Sequence, residues 1–221
     1  MNHQTRLFAI LTAATAVMGI GACSIVNSRS PVDPSTTVAQ SPGGMNHGGM
    51  NHKMDVGPAD ANYDLRFLDS MIPHHQGALV MAEDAIVKSK RPELINLAKS
   101  IIADQKVEIA QMQQWRKQWY PKASATPIMW DAAMNGEMPM TAEHKQMMQM
   151  NMSLGAADDG FDKRFLDAMM PHHQGAVTMS KDALEKSKRP EMQKISKRII
   201  ASQQKEIDMM TKWRKQWYPG T

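Results

Sequence analysis

A single cysteine, Cys23, among 221 residues rules out an internal disulfide framework. Aromatic residues make up 5% of the chain, so apolar packing has to come largely from aliphatic side chains and from methionine, of which there are 22. An excess of one charge is lacking too. Lys and Arg number 26 against 22 Asp and Glu, leaving +4 with the basic residues scattered among acidic ones, which gives no case for nucleic acid as a partner. The apolar run from residue 7 to residue 20 is broken by Thr12 and Thr15 and is short for a membrane span. Finally, no Glu-x-x-His occurs, the pattern that two helices of a di-iron carboxylate centre contribute: Glu143 adjoins His144, and neither Glu108 nor Glu206 has histidine three residues on.

What is present begins with an export signal. Residues 1–22 run from a weakly basic start ending at Arg6 through the apolar stretch to Ile20-Gly21-Ala22-Cys23. That closing tetrapeptide resembles a lipoprotein processing box. The resemblance implies cleavage before Cys23, lipidation of Cys23, and a periplasmic protein of a Gram-negative bacterium, with Ser24 favouring the outer membrane. Residues 23–61 are rich in Ser, Pro, Thr, Asn and Gly without apolar periodicity and read as a tether. Within it Met45, His47, Met50, His52 and Met54 place three thioethers and two imidazoles in ten residues. Thioether and imidazole suit Cu(I) and related soft ions, whereas carboxylates and carbonyls suit hard ones.

The remainder, residues 62–221, is a repeat. Phe-Leu-Asp-x-Met-x-Pro-His-His-Gln-Gly-Ala occurs at 67–78 and again at 165–176, a shift of 98 positions. Phe67, Met71, His74, Ala78, Met81 and Ala85 fall on one helical face over about 62–88, and Phe165, Met169, His172, Ala176, Met179 and Ala183 repeat it. Pro73 either kinks this helix or opens one, and Pro171 poses the same choice. Pro92 starts a second helix to about Tyr120, with a stripe from Leu94 to Trp119 interrupted by Gln105 and Glu108; Gln203 and Glu206 are their copies. Antiparallel pairing about residue 90 sets His74 level with residue 106, so His74, Gln105 and Glu108 are expected in one polar layer. Between the repeats (about 62–121 and 158–219) lies a linker, 122–157. It is loose to about Pro139 and then carries a short helix capped by Thr141, with His144, Met147 and Met148 on one face. One hairpin has nothing against which to bury its stripe. Two together make an all-α four-helix bundle with an internal two-fold, and Trp115, Trp119, Trp213 and Trp217 are expected as one aromatic floor or rim.

Phe67-Leu68-Asp69 through Ala78, Met81, Ile102, Gln105, Glu108, Ile109, Met112 and Trp115 resemble the bacterial domain-of-unknown-function family numbered 305, and the signature stands in both halves. The resemblance implies an exported, ferritin-like helical protein. It also implies kinship with periplasmic copper-binding proteins, and carries that expectation to Met71, His74, His75 and Met81 and to Met169, His172, His173 and Met179.

The function expected from residues and resemblance together is envelope copper binding without catalysis. Cu(I) is the leading ion, with Cu(II) and Ag(I) open, sequestered or buffered for copper tolerance or passed to a transfer partner. Each repeat is expected to hold its own site. The arm would supply further ligands, His144, Met147 and Met148 others, and Gln105, Glu108, Gln203 and Glu206 would orient the histidines. Two other readings stay open: a lipoprotein scaffold with satisfied core histidines, and a ferritin-like metal-dependent oxidoreductase.

Overall fold

The computed structural model describes residues 54–220. Helix α1 (Tyr63–Lys88) and helix α2 (Pro92–Trp119) form one hairpin; α4 (Phe161–Lys186) and α5 (Pro190–Trp217) form the other. Between them come β1 (Ile128–Asp131), β2 (Gly136–Pro139) and the short α3 (Ala142–Gln149). The architecture is all-α, a four-helix bundle with a two-stranded insert. Among the described residues, no helix is long and apolar enough to cross a membrane.

Local chemistry sets the hairpin turns. The Ser89 and Ser187 hydroxyls accept from the backbone amides of Arg91 and Arg189, and Pro92 and Pro190 then open α2 and α5, where the amide a proline lacks has no helical partner anyway. Pro73 lies inside α1 and Pro171 inside α4, so neither helix begins at its proline. Helix α1 starts at Tyr63, where its pattern puts it, and α4 at Phe161, a little beyond the start of the second repeat at about 158.

Apolar packing is split in two. One cluster gathers Tyr63, Phe67 and Met71 from the start of α1, Met112 and Trp115 from the end of α2, Met179 and Ala183 from the end of α4, and Met192, Ile195 and Ile199 from the start of α5. The other gathers Ala78, Met81, Leu94, Leu97, Ile101, Phe161, Phe165, Met169 and Met210. Each cluster thus joins the open end of one hairpin to the turn end of the other, as antiparallel packing of α1 on α4 requires. Burial at about 1.5–3 kcal/mol per large side chain is the main force holding the bundle. The tryptophans do not form one floor. Trp115 and Trp119 stack at 5.1 Å, and so do Trp213 and Trp217, but the pairs belong to opposite clusters. Arg189, in the turn of the second hairpin, lies 4.4 Å over Trp119, and Arg91 of the first lies 4.3 Å over Trp217.

The stretch 122–139, expected as loose chain, contains the hairpin of β1 and β2. Met129 pairs with Met138 and Trp130 with Glu137. Helix α3 is where the cap signal puts it: Thr141 Oγ1 accepts from the His144 amide at 3.2 Å, and His144 Nδ1 accepts from the Thr141 amide.

Candidate metal centre at the middle of the bundle

Where α1 crosses α4, the two histidine pairs meet. The rings of His74 and His172 are 3.9 Å apart between centroids, and all four histidines are fully buried. The expected two separate centres therefore share one layer between the apolar clusters. Met71 and Met179 lie together on one side of it, Met81 and Met169 on the other.

Within the layer the adjacent histidines divide their tasks. His75, not His74, reaches the second helix: its Nε2 is 2.8 Å from Glu108 Oε2, and His173 Nε2 is 2.7 Å from Glu206 Oε2. The roughly 100° step between neighbours on a helix turns His74 and His172 toward the facing helix instead. His172 Nε2 donates to the main-chain oxygen of Gln149, at the end of α3, at 3.0 Å. His74 has no hydrogen-bond partner at either ring nitrogen. Gln105 and Gln203, also buried, are without partners at both amide atoms. Buried polar atoms are nearly always paired, so this concentration in one layer marks a place built for something other than packing.

One wall of that place is glycine. A Cβ built on Gly175 would stand 3.1 Å from His74 Nε2 and 3.5 Å from Met54 Sδ. An imidazole nitrogen with no partner and a thioether sulfur thus converge on one point that only glycine leaves open. Met54 is held there by a strap. Fully buried Arg66 donates from Nε to the Val56 oxygen at 2.7 Å and from a terminal nitrogen to the Pro58 oxygen at 2.8 Å, and it pairs with Asp60 and Glu137. Lys186 closes the strap from α4 by donating to the Gly57 oxygen at 2.8 Å. Glycine also matters on the other side: a Cβ on Gly77 would lie 1.7 Å from the Gln149 oxygen, so α3 ends in direct contact with the α1 backbone.

Burial favours the neutral form of three of these imidazoles, His74, His172 and His173. Burial, reinforced by the neighbouring histidines, drives His74 well below the ordinary histidine range, and the same causes bring His172 and His173 down to about 3. Burial, with Asp104 and Glu108 nearby, pushes the Glu206 carboxyl up to about 7. Neutral imidazole is the form that ligates a metal. Arg198 donates to Glu108 at 3.1 Å, whereas the residue in the corresponding place beside Glu206 is Ser100.

The other candidates divide. Met54 reaches the layer; Cys23, Met45, His47, Met50 and His52 lie outside the described residues. The expected face of α3 is split: Met148 is buried in the first cluster, Met147 is exposed, and His144 is engaged in its own helix cap. Among the described residues, no three His, Cys, Asp or Glu side chains converge as a metal-binding group. The donors that do converge are soft. The repeat makes Gly175, three residues after His172, the counterpart of Gly77, three after His74, a position where a missing side chain lets a neighbouring backbone or an ion come close.

The chain is similar to several solved structures. CopM in its Cu(II)-bound form is 41% identical, with a TM-score of 0.57 over 70% of this chain and 97% of that one. CopM in the Cu(I)-bound form is 36% identical, with a TM-score of 0.55 over 70% and 97%. A domain fragment from Deinococcus radiodurans is 26% identical, with a TM-score of 0.55 over 72% and 99%. Among curated proteins, the uncharacterized protein L153 of Acanthamoeba polyphaga mimivirus is 45% identical over 49 residues, a match spanning about a third (32%) of that protein. The model of the domain of unknown function DUF305 matches residues 64–214, and the chain belongs to that family.

Proposed function

We propose that this protein binds Cu(I) as cargo and buffers it in the cell envelope, without catalysing a reaction on it. The observation that carries the reading is the convergence of His74 Nε2 and Met54 Sδ on the space left by Gly175, with His74 otherwise unpartnered. A neutral nitrogen and a thioether form a soft donor pair that favours Cu(I) or Ag(I) over hard divalent ions. The CopM structures with Cu(II), Cu(I) and Ag bound support the same class of ion.

In this reading Met45, His47, Met50 and His52 collect the ion on the tether, and Met54 is the end of that tether seated in the bundle. The layer of His74, His75, His172 and His173 receives it, and Glu108 and Glu206 fix the rings of His75 and His173. Met71, Met81, Met169 and Met179 flank the layer. Residues 1–22 direct export and lipid on Cys23 anchors the protein, on the outer membrane of a Gram-negative cell, where a transfer partner can collect the metal.

The test is anaerobic titration of the full chain with Cu(I) against a competing chelator, beside Met54→Leu and His74→Leu. The expected result is tight binding of at least one Cu(I), weakened about tenfold or more by either substitution while the helical circular dichroism is unchanged. Affinity no better than about micromolar, or affinity unaffected by both substitutions, would overturn the assignment.

A further inference from the structure

The insert carries four methionines, Met134 in its exposed turn and three, Met129, Met138 and Met140, along its paired stretch. Met129 on β1 is the direct cross-strand partner of Met138 on β2. Pairing continues one step beyond the strands, because the Met140 amide donates to the Pro127 oxygen at 2.8 Å. Side chains alternate along a strand, so Met138 and Met140 share a face, and Met129 opposes Met138 on that same face. The opposite face is already committed. Trp130 is packed against Gly57 and under Arg66, and Glu137 pairs with Arg66 and accepts from Asn62.

None of the three methionines belongs to either apolar cluster. Met140 is buried, while Met129 and Met138 are each partly open to solvent. Strand surfaces favour β-branched and aromatic residues, so three flexible thioethers on one face are an unusual way to stabilise a four-residue hairpin. Opposed residues have Cβ atoms about 5 Å apart, and methionine's three rotatable bonds let the sulfurs turn inward together. Asp131, the one acid on this face of β1, is occupied by the amide of Met134 at 2.9 Å.

We infer that Met129, Met138 and Met140 form a second soft-metal site, an all-thioether site for a monovalent ion such as Cu(I) or Ag(I). It rests on the soft-metal reading of the protein but uses none of the bundle's ligands. Met140 is the inner donor, and Met129 and Met138 are the solvent-facing ones through which an ion enters. Three neutral sulfurs suit a soft monovalent ion and offer nothing to a hard one.

The experiment titrates Ag(I), redox-silent and soft, into the full chain labelled at its methionine methyl groups, and follows each methyl by carbon-13 NMR with bound silver counted after dialysis. The expected result is that the methyls of Met129, Met138 and Met140 shift together. The triple variant Met129→Leu/Met138→Leu/Met140→Leu should lose one Ag(I) per chain while the Met54 methyl still responds. Met138→Leu alone, at a partly exposed position, should weaken that uptake at least tenfold and leave the melting temperature unchanged. Hairpin methyls that stay still while Met54 shifts would overturn the hairpin site alone. Hairpin methyls that shift while Met54 stays still would support it and overturn the bundle site. No shift at either place overturns both.

Discussion

His74 and His172 are the same residue of two repeats, and their surroundings differ. Around them the scaffold is close to two-fold. Arg66 and Arg164 each reach back to the main chain ten residues earlier, at Val56 and Leu154. Asp69 pairs with Arg116, and Asp167 with Arg214. His75 and His173 each meet a glutamate. At the centre the symmetry stops. The end of α3 supplies His172 with a carbonyl, whereas the strap brings His74 a thioether that cannot satisfy it in the same way. A repeated scaffold can therefore carry one hydrogen-bonded and one unpartnered histidine, and what distinguishes them is the chain laid over each, not the helices beneath.

The two glycines beside these histidines break the comparison most sharply. Gly77→Ala would drive a methyl into the Gln149 backbone, which cannot yield without moving α3. The expected cost is about 3 kcal/mol, a fall in melting temperature of roughly 6–12 °C, read by calorimetry. Gly175→Ala meets only the ends of His74 and Met54, so the expected loss is below about 1 kcal/mol. Its effect should fall on Cu(I) affinity instead, reduced at least about tenfold because the methyl fills the place where the donors converge. Equal destabilisation by the two substitutions would contradict the difference drawn between the halves.

The anchoring arginines come next. Arg66 is fully buried and Arg164 is partly exposed, 0% against 39% for their side chains. Arg66→Met leaves two carbonyls of the strap, and Asp60 and Glu137, without their donor and is expected to destabilise by about 2–3 kcal/mol; Arg164→Met is expected to cost under about 1 kcal/mol. Urea midpoints of both variants check the ratio. Arg66→Met should also weaken Cu(I) binding by releasing Met54.

Acidity sharpens the comparison further. His172 and His173 take up protons at about 3 when folded and at 6.5 when unfolded, and His74 is shifted the same way. The unfolded chain binds more protons across that window, so stability should fall as pH drops from about 6.5 toward 3. Glu206 works in the other direction: its folded value of about 7 lies above 4.5, so its contribution is full below 4.5 and lost as pH rises through 7. Urea midpoints from pH 4 to pH 8 should therefore peak near neutrality. Glu206→Gln should flatten the alkaline side and leave the acid side steep.

The smallest expected effect is on the histidines themselves. His74→Leu removes an imidazole with no partner and should change stability by less than about 1 kcal/mol in either direction. His172→Leu forfeits the bond to Gln149 and should cost about 1 kcal/mol. Thermal melts of the metal-free variants make the comparison.

Much of the helical frame was legible because Phe67, Met71, His74, Ala78 and Met81 keep helical spacing and recur 98 positions on. Prolines mark the turns for the same local reason. The sharing of the polar layer could be anticipated only in part. Counting residues from the turn set His74, Gln105 and Glu108 at one level, but level does not decide direction, and it was His75 that met Glu108. The meeting of the two histidine pairs in one layer follows from the crossing of α1 on α4, a contact between segments about a hundred residues apart that no local pattern encodes. The hairpin was hidden for a different reason. Its strands are four residues long, too few for alternation to stand out, and its place is fixed by Arg66 and Asp69 on α1.

The contacts between hairpin turns and helix ends are reciprocal. Arg91 pairs with Asp162 and covers Trp217, while Arg189 pairs with Asp64 and covers Trp119; Lys88 reaches the Gly155 oxygen as Lys186 reaches that of Gly57. Reciprocity of this kind is the signature of an isologous homodimer. The molecule is in that sense a dimer written on one chain, and its linker sets the encounter of the two protomers at an effective concentration on the order of millimolar. Covalent joining also removes the constraint that a true homodimer cannot escape, that both copies of a residue must stay alike. Met54 beside one histidine and the Gln149 carbonyl beside the other are a divergence that only the joined form permits.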